Sequence, residues 1–148
     1  MSAMSDYLEN KIIDHILRGT PYTAPSGNVC IALFTTNPSN DNGGSAVEVS
    51  GNNYIRANVA ASLSGWTGTQ GGSGAVSSGS SGFANNASAI TFQAPTGDWG
   101  VVRGFGMYDS FTGGNLLFYG ALTIPKTINN GDAAPSFAAN TLCIQIDN

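Results

Sequence analysis

The sequence has very little charge and few of the side chains that carry most enzyme chemistry. Its 148 residues include five lysines and arginines, nine acids, one histidine and two cysteines. Charged residues make up 9% of the chain, whereas an ordinary soluble domain has about 25%. Gly, Ser, Thr and Asn supply the polarity instead. A surface this poor in charge predicts extensive contact with other protein, and therefore an assembly.

Other absences exclude several classes of partner. The net charge is −4 and no cluster of Lys and Arg occurs, whereas nucleic-acid binding needs a concentrated basic surface. No apolar run approaches the roughly 18 residues of a membrane span, so we expect no membrane partner. The N-terminus lacks a basic stretch followed by an apolar core, so we expect no secretion signal and synthesis in the cytoplasm. Cys30 and Cys143 lie in apolar runs and are predicted to be free, buried thiols.

Catalytic constellations are also missing. His15 lies at the border of a helical apolar stripe, where packing is its expected role, and no second histidine can serve a Ser-His or Cys-His system. Asp98 and Asp109 stand beside turn residues, so turn capping is their predicted role. The stretch around Asp41 has glycine out of register for a calcium loop and lacks the closing acid. We therefore expect no enzyme activity, no metal and no cofactor.

The first 20 residues predict a separate N-terminal helix. From Ser5 to Arg18, large apolar residues recur at helical spacing, with Ser5 as N-cap and Gly19 followed by Pro21 as the stop. An amphipathic helix of about four turns must dock on something. We predict that Leu8, Ile12 and Ile16 form an apolar stripe that is buried in the assembled state.

Residues 21–148 predict a single β-domain. After Gly19 every apolar run is short and bounded by turn residues, which is typical of strands. The fold class is therefore all-β: a small antiparallel β-sandwich or barrel with one N-terminal amphipathic α-helix. The predicted strands are Asn28 to Thr35, Tyr54 to Ala61, Ala89 to Gln93, Val101 to Asp109, Asn115 to Leu122 and Thr141 to Ile146, with Ile124 to Ile128 as an edge segment because it contains Pro125.

Structural roles can be assigned around two of the predicted turns. Asp98 is expected to cap a turn, Trp99 to bury its ring and Gly100 to adopt a positive φ. The loop Ser110 to Gly114 predicts a hairpin, in which the Asp109, Gly113 and Gly114 positions shape the turn. Gly104 and Gly106 leave one strand face bare, so that a backbone or an aromatic ring can approach closely. Tyr108 and Tyr119 are expected to pair across the hairpin.

Two long connections interrupt the β pattern, at residues 36–50 and 62–88. The second is rich in Gly and Ser, and a compact domain seldom keeps a structureless loop of about 25 residues unless it is functional or mobile. Two interpretations stay open: a flexible loop pinned to its own core, or an arm packed on a neighbouring subunit. In the second, Trp66 and Phe83 are the predicted anchors in a pocket on the partner.

Several motifs resemble a family of small tailed-phage virion proteins, described either as capsid cement (decoration) proteins or as tail-fibre-like proteins. The resemblance covers both ends of the chain and most strands, and is weak between about Thr36 and Ser88. The residues that carry it are Met4-Ser5-Asp6-Tyr7-Leu8-Glu9-Asn10-Lys11 through Asp14-His15 to Leu17, and Asp98-Trp99-Gly100, Phe105-Gly106, Tyr108-Asp109, Thr112-Gly113-Gly114-Asn115-Leu116-Leu117, Tyr119-Gly120, Lys126 and Gly131-Asp132.

The resemblance implies an assembly role in a phage virion. The leading expectation is a capsid cement protein on the exterior of the shell, bound to the major capsid protein and self-associated, by analogy, as a homotrimer. The alternative is a tail- or tail-fibre-associated structural or receptor-binding subunit. A virion-associated glycan hydrolase is the weakest alternative, because nothing singles out the two carboxylates it needs.

Overall fold

The computed structural model describes residues 2–69, 74–78 and 80–146. These residues contain one helix, α1 (Asp6–Leu17), and eleven strands. The all-β prediction with one N-terminal helix is confirmed. The strands are β1 (Ser2–Met4), β2 (Asn28–Thr36), β3 (Val47–Glu48), β4 (Ala57–Ala60), β5 (Trp66–Thr67), β6 (Phe83–Asn86), β7 (Ile90–Thr91), β8 (Gly100–Tyr108), β9 (Leu116–Ile128), β10 (Ser136–Phe137) and β11 (Cys143–Gln145).

The main sheet is antiparallel, in the order β1-β9-β8-β2-β3, and β4 pairs with the first half of β2. Its centre is the long β8-β9 hairpin that the turn residues predicted. The predicted edge segment Ile124 to Ile128 is not a separate element, because β9 runs through Pro125 as one strand of 13 residues. β1 pairs with β9 only at Phe118–Gly120, so in the described residues no strand lies outside Pro125. A residue without an N–H is tolerated at such an edge.

The two faces of the main sheet have different covers. Alternating residues of β2 divide between two apolar clusters: Ile31 faces the larger one, and Phe34 the smaller. A two-stranded sheet (β7-β10) and a three-stranded sheet (β5-β6-β11) contribute to the larger cluster. Ala46, from residues 36–50, packs against the smaller cluster. The result is a sandwich with one large sheet and two small ones.

The helix begins as the sequence predicts. The Ser5 hydroxyl accepts a hydrogen bond from the Leu8 backbone N–H at 3.2 Å and donates one to the Leu116 carbonyl, which ties the N-terminus of α1 to β9. Asp14 and Arg18 form the expected surface ion pair at 3.4 Å. β1, which precedes the helix, was not predicted from the sequence.

Three local expectations were wrong. The described part of residues 62–88 includes β5 and β6, and is therefore not a structureless loop; residues 70–73 and 79 of that segment lie outside the described residues. Cys143 is exposed, although Cys30 is buried as expected. Tyr108 and Tyr119 do not pair, because the register of the hairpin sets Tyr119 opposite Gly106, and Tyr108 opposite Leu116.

Candidate assembly surfaces

The helix divides the predicted stripe between core and surface. Leu8 is 5% exposed in its own chain's core, and Ile12 packs partly against the same core. Ile16, by contrast, is 69% exposed. Ile13 and Leu17 beside it are 50% and 76% exposed. We call Ile13, Ile16 and Leu17 the exposed ridge, and it is the part of the helix free to contact another subunit.

Trp66 and Phe83 line a recess in their own chain. Both are half-buried, on β5 and β6, and they face residues of the main sheet across a cavity of about 430 Å³. We call this cavity the apolar groove; among the described residues that line it, none has an ionisable side chain. Its principal walls are Val29, Met107 and Phe118 from the main sheet, and Trp66, Phe83 and Ile144 from the small one.

A buried arginine organises the opposite side of the molecule. Arg56, just before β4, donates from Nε and Nη2 to the two carboxylate oxygens of Glu48, at 2.9 and 2.7 Å. Its Nη1 donates to the carbonyls of Ser110 and Gly113 at 2.9 and 2.7 Å, and the guanidinium lies 3.6 Å from the ring centre of Tyr108. These contacts join residues 36–50 to the tip of the β8-β9 hairpin.

The electrostatics keep this Arg56 cluster charged. Burial alone would lower the pKa of Arg56, but the hydrogen bond and negative charge of Glu48 outweigh burial and raise that pKa above its usual value. Tyr54 donates to Glu48 at 2.9 Å and accepts from the Leu33 N–H at 2.9 Å. Burial raises the pKa of the Tyr54 phenol far above its usual value. Arg56 is thus held as a cation in a fixed ion pair with Glu48.

Arg56 and Glu48 were missed from the sequence. The available signal was an arginine inside a strand-like run, Tyr54 to Ala57, in a chain with only five cations. A charge on a half-buried strand needs a partner. The sequence does not indicate which of the nine acids provides it, because Glu48 approaches only when the connection 36–50 folds back.

The predicted turn residues lie at turns. The Asp98 carboxylate accepts from the Asn130 N–H at 2.8 Å, and Gly100 has a φ of +81°. Trp99 is buried, and its indole N–H donates to the Asn52 carbonyl at 3.0 Å. These contacts fasten the start of β8 to two neighbouring loops.

The hairpin tip is shaped by its own acid and glycines. Asp109 accepts from the backbone and the side-chain amide of Asn115, each at 2.7 Å. Gly113 and Gly114 have φ values of +60° and +73°, which L side chains rarely adopt. This conformation presents the Gly113 carbonyl to Arg56.

The bare face at Gly104 and Gly106 is filled by side chains from β2 and from the connection that follows it. A Cβ on Gly106 would lie 2.6 Å from Cζ of Phe34. A Cβ on Gly104 would lie 2.6 Å from the Gly120 carbonyl oxygen and would also meet the side chain of Asn37. Both glycines therefore permit close packing on this face of the sheet, with Phe34 of β2 against Gly106 and Asn37 of the connection against Gly104.

Asn86 is a second buried polar anchor that sequence reasoning did not assign. Its side chain is fully buried, donates to the carbonyls of Ser88 and Ala138, and accepts from the Leu142 N–H, each at 2.8 Å. It ties β6 to the segment before β11. The sequence Asn86-Ala87-Ser88 matches a glycosylation acceptor, but this side chain is enclosed by protein.

The described residues also place three acids together at the surface. Oxygens of Asp6, Glu9 and Asp41 lie within 4.8 Å of one another. Asp41 accepts a hydrogen bond from the Tyr119 hydroxyl, and this bond, then burial, raises the pKa of Tyr119 to about 12. Exposed acids are common without an ion, so this arrangement assigns no metal. His15 is exposed, and its Nδ1 accepts from the Tyr22 N–H at 3.2 Å.

Comparison with known proteins identifies the family. The sequence model of one family, described as Podophage GP4 fiber I protein gp80, matches residues 3–145. The chain belongs to this family. It is a virion structural protein of a tailed phage, as the resemblance implied. A search of curated proteins found no match. In the described residues no helix is long and apolar enough to cross a membrane.

Proposed function

We propose that this gp80-family protein is a fibre subunit of the phage tail and that it works by binding other virion proteins. The observation that carries the proposal is the match of residues 3–145 to a family described by a fibre protein. The sequence resemblance was compatible with capsid cement as well, but no contact or surface in the described residues specifically favours binding to a capsid lattice. The fibre alternative is therefore preferred.

The surfaces support a role in assembly. The exposed ridge and the apolar groove present uncharged apolar area to a partner, and surfaces of this kind mark protein contacts. The charge-poor composition is consistent with a subunit whose surface is largely covered. The homotrimer was expected by analogy for a capsid cement protein. We include it in this proposal as the oligomeric state of the fibre subunit.

Binding rather than catalysis is also part of the proposal. Among the described residues, Glu48 is held by Arg56, and Asp98 and Asp109 accept hydrogen bonds in turns. Where the structure describes its lining, the apolar groove has no carboxylate, imidazole, amine or thiol to act as acid, base or nucleophile. These arrangements give Glu48, Asp98 and Asp109 structural roles, and the lining of the apolar groove is suited to apolar contact.

The position of the chain on the particle tests the fibre assignment. An antibody raised against this protein, coupled to gold, is applied to intact virions and to capsids and tails separated from them, and the copies per particle are counted by quantitative mass spectrometry. We expect label on the tail and few copies. Label spread over the shell, with hundreds of copies, would instead identify a capsid cement protein. Antibody to the major capsid protein is the control for accessibility.

A further inference from the structure

The exposed ridge has the spacing of a helix that docks into a groove. Ile13, Ile16 and Leu17 occupy positions i, i+3 and i+4, which lie on one face of a helix. All three are at least half exposed, whereas Leu8 on the same helix is buried. Helices that bind grooves use this pattern of anchors. Leaving three large aliphatic side chains in water forgoes the free energy of their burial.

No other element in the described residues offers a comparable projection. The remaining exposed large apolar side chains occur singly along the chain, for example Val47, Ile55 and Ile124. The ridge is the one place where three fall within five residues. The charges beside it do not prevent burial, because Asp14 and Arg18 on the same helix pair with each other at 3.4 Å.

The apolar groove has complementary chemistry. The described side chains of its walls include no ionisable group, so a charged or strongly polar occupant would lose hydration without gaining a charged partner from them. Its volume of about 430 Å³ is in the range of about 300–1,000 Å³ that is usual for binding sites. An uncharged aliphatic ridge is therefore the occupant that this lining favours.

We propose that the exposed ridge of one copy of this chain inserts into the apolar groove of a second copy. The proposal rests on the proposed function, because it states how fibre subunits join. Trp66 and Phe83, predicted as anchors that enter a partner, then have the reverse role and form walls that receive one. Leu8 and Ile12 hold the helix on its own domain, so that the ridge is presented rigidly.

This contact is head to tail, since it joins two different surfaces. Each copy in a pair still has one unused ridge or groove. Such contacts continue until the rotation closes a ring, or extend as an open helical filament. A closed ring of three copies would satisfy every ridge and every groove, and would give the homotrimer proposed above.

Association of the purified full-length chain tests the contact. The ridge variant is Ile16→Ser with Leu17→Ser, and Ser62→Trp fills the groove from an exposed position on its lining. Ala84→Phe is a second groove variant. Ile124→Ser is the matched control, because Ile124 is 79% exposed and lies in neither surface. Circular dichroism and thermal melting establish that each variant is folded, and sedimentation equilibrium measures association.

We expect the wild-type chain and Ile124→Ser to associate equally. The ridge variant should associate more weakly, by roughly tenfold or more for each large side chain removed from the contact. The groove variants should also associate more weakly, because the added ring occupies the space that the ridge would enter. A mixture of the ridge variant with a groove variant should form a 1:1 heterodimer and stop there, because one intact ridge and one intact groove are available.

Three results would overturn the proposal. One is a monomeric wild-type chain at every accessible concentration. Another is association unaffected by the ridge changes. The third is association lost in the ridge variant but kept in both groove variants, which would indicate helix-to-helix contact. The test is independent of the fibre assignment: labelling of the capsid would remove that function and leave this contact, whereas a monomeric protein located on the tail would do the opposite.

Discussion

The two long connections of this protein cover opposite faces of one sheet in different ways. Residues 36–50 are fastened by side chains: Glu48 binds Arg56, and Asp41 binds Tyr119. Residues 62–88 contribute short strands to a small sheet and leave a groove of about 430 Å³ beneath it. The first face is tightly packed, because the ring of Phe34 lies directly against Gly106.

The side-chain composition of a long connection decides how completely that connection fills the space over a sheet. Carboxylates and amides can pair at fixed distances and hold a loop against a sheet. Gly and Ser contribute little volume and no long side chain, so a segment rich in them covers a core without filling it. Unfilled apolar space is then available to a partner. Four experiments test this comparison.

The largest effect is expected from removing the anchor of the first connection. Arg56→Met removes the guanidinium from Glu48, which keeps the Tyr54 hydroxyl as a donor, and from the carbonyls of Ser110 and Gly113. It should lower the free energy of unfolding by about 3–5 kcal/mol. Urea denaturation measures it. Arg103→Met is the matched control, because Arg103 is exposed, and should change stability by less than about 0.5 kcal/mol. Equal effects of the two substitutions would show that the cluster does not hold the connection.

A smaller loss is expected from the polar anchor at the end of the second connection. Asn86→Ala leaves the Leu142 N–H and the Ser88 carbonyl without their partner, whereas the Ala138 carbonyl keeps its hydrogen bonds from Thr141. The substitution should cost about 2–3 kcal/mol. Asn10→Ala, on the exposed side of the helix, is the control and should change stability by less than about 0.5 kcal/mol. If Asn86→Ala is equally harmless, water must replace its hydrogen bonds, and the small sheet is held by apolar contact alone.

Adding volume compares the two faces directly. Gly106→Ala places a methyl group 2.6 Å from the Phe34 ring and should destabilise the protein by about 1–3 kcal/mol through overpacking. Ala84→Val adds methyl groups on the wall of the groove, where space exists, and should change stability by less than about 0.5 kcal/mol. Thermal or urea unfolding of both variants decides the point. A large loss in Ala84→Val would mean that the groove is already filled.

The smallest effect concerns the Asp41–Tyr119 hydrogen bond, which responds to pH. The pKa of the Tyr119 hydroxyl is raised from 10.0 to about 12. The contribution of the bond to stability is therefore complete below pH 10 and is lost as the pH rises through about 12. Tyr119→Phe should therefore be less stable than wild type at pH 8, and the difference should shrink between pH 10 and pH 12. In an Asp41→Asn background, which lacks the acceptor carboxylate, Tyr119→Phe should cost less stability at pH 8 than it does in the wild-type protein. A constant difference across this range would contradict the assignment.

Local signals predicted much of the fold. The helix followed from apolar spacing and the Ser5 cap, and the long hairpin from Gly113 and Gly114 between two apolar runs. Both depend on residues close together in sequence, so periodicity and turn chemistry are sufficient. β5 and β10 could not be predicted, because strands of two residues carry no period and form only when distant partners arrive.

The candidate surfaces were predicted less well than the elements that carry them. The sequence marked the helix as amphipathic but not which apolar residues its own sheet would use; Leu8 went to the core and Ile16 to the surface. It marked Trp66 and Phe83 as unusual within a Gly/Ser segment but not that they would line a recess. Both outcomes depend on which face of the helix or of the small sheet packs against the main sheet, and the sequence does not specify that.

By itself, the sequence determined an all-β chain with one capped helix, little charge and a phage-virion signature, because composition, periodicity and motif are properties of the chain. Only the tertiary structure decided that Arg56 would find Glu48, that Tyr108 would be paired with a guanidinium and not with Tyr119, and that a groove would remain beneath β5 and β6. These outcomes depend on packing between segments far apart in sequence, whose mutual distances are fixed only when the sheets assemble.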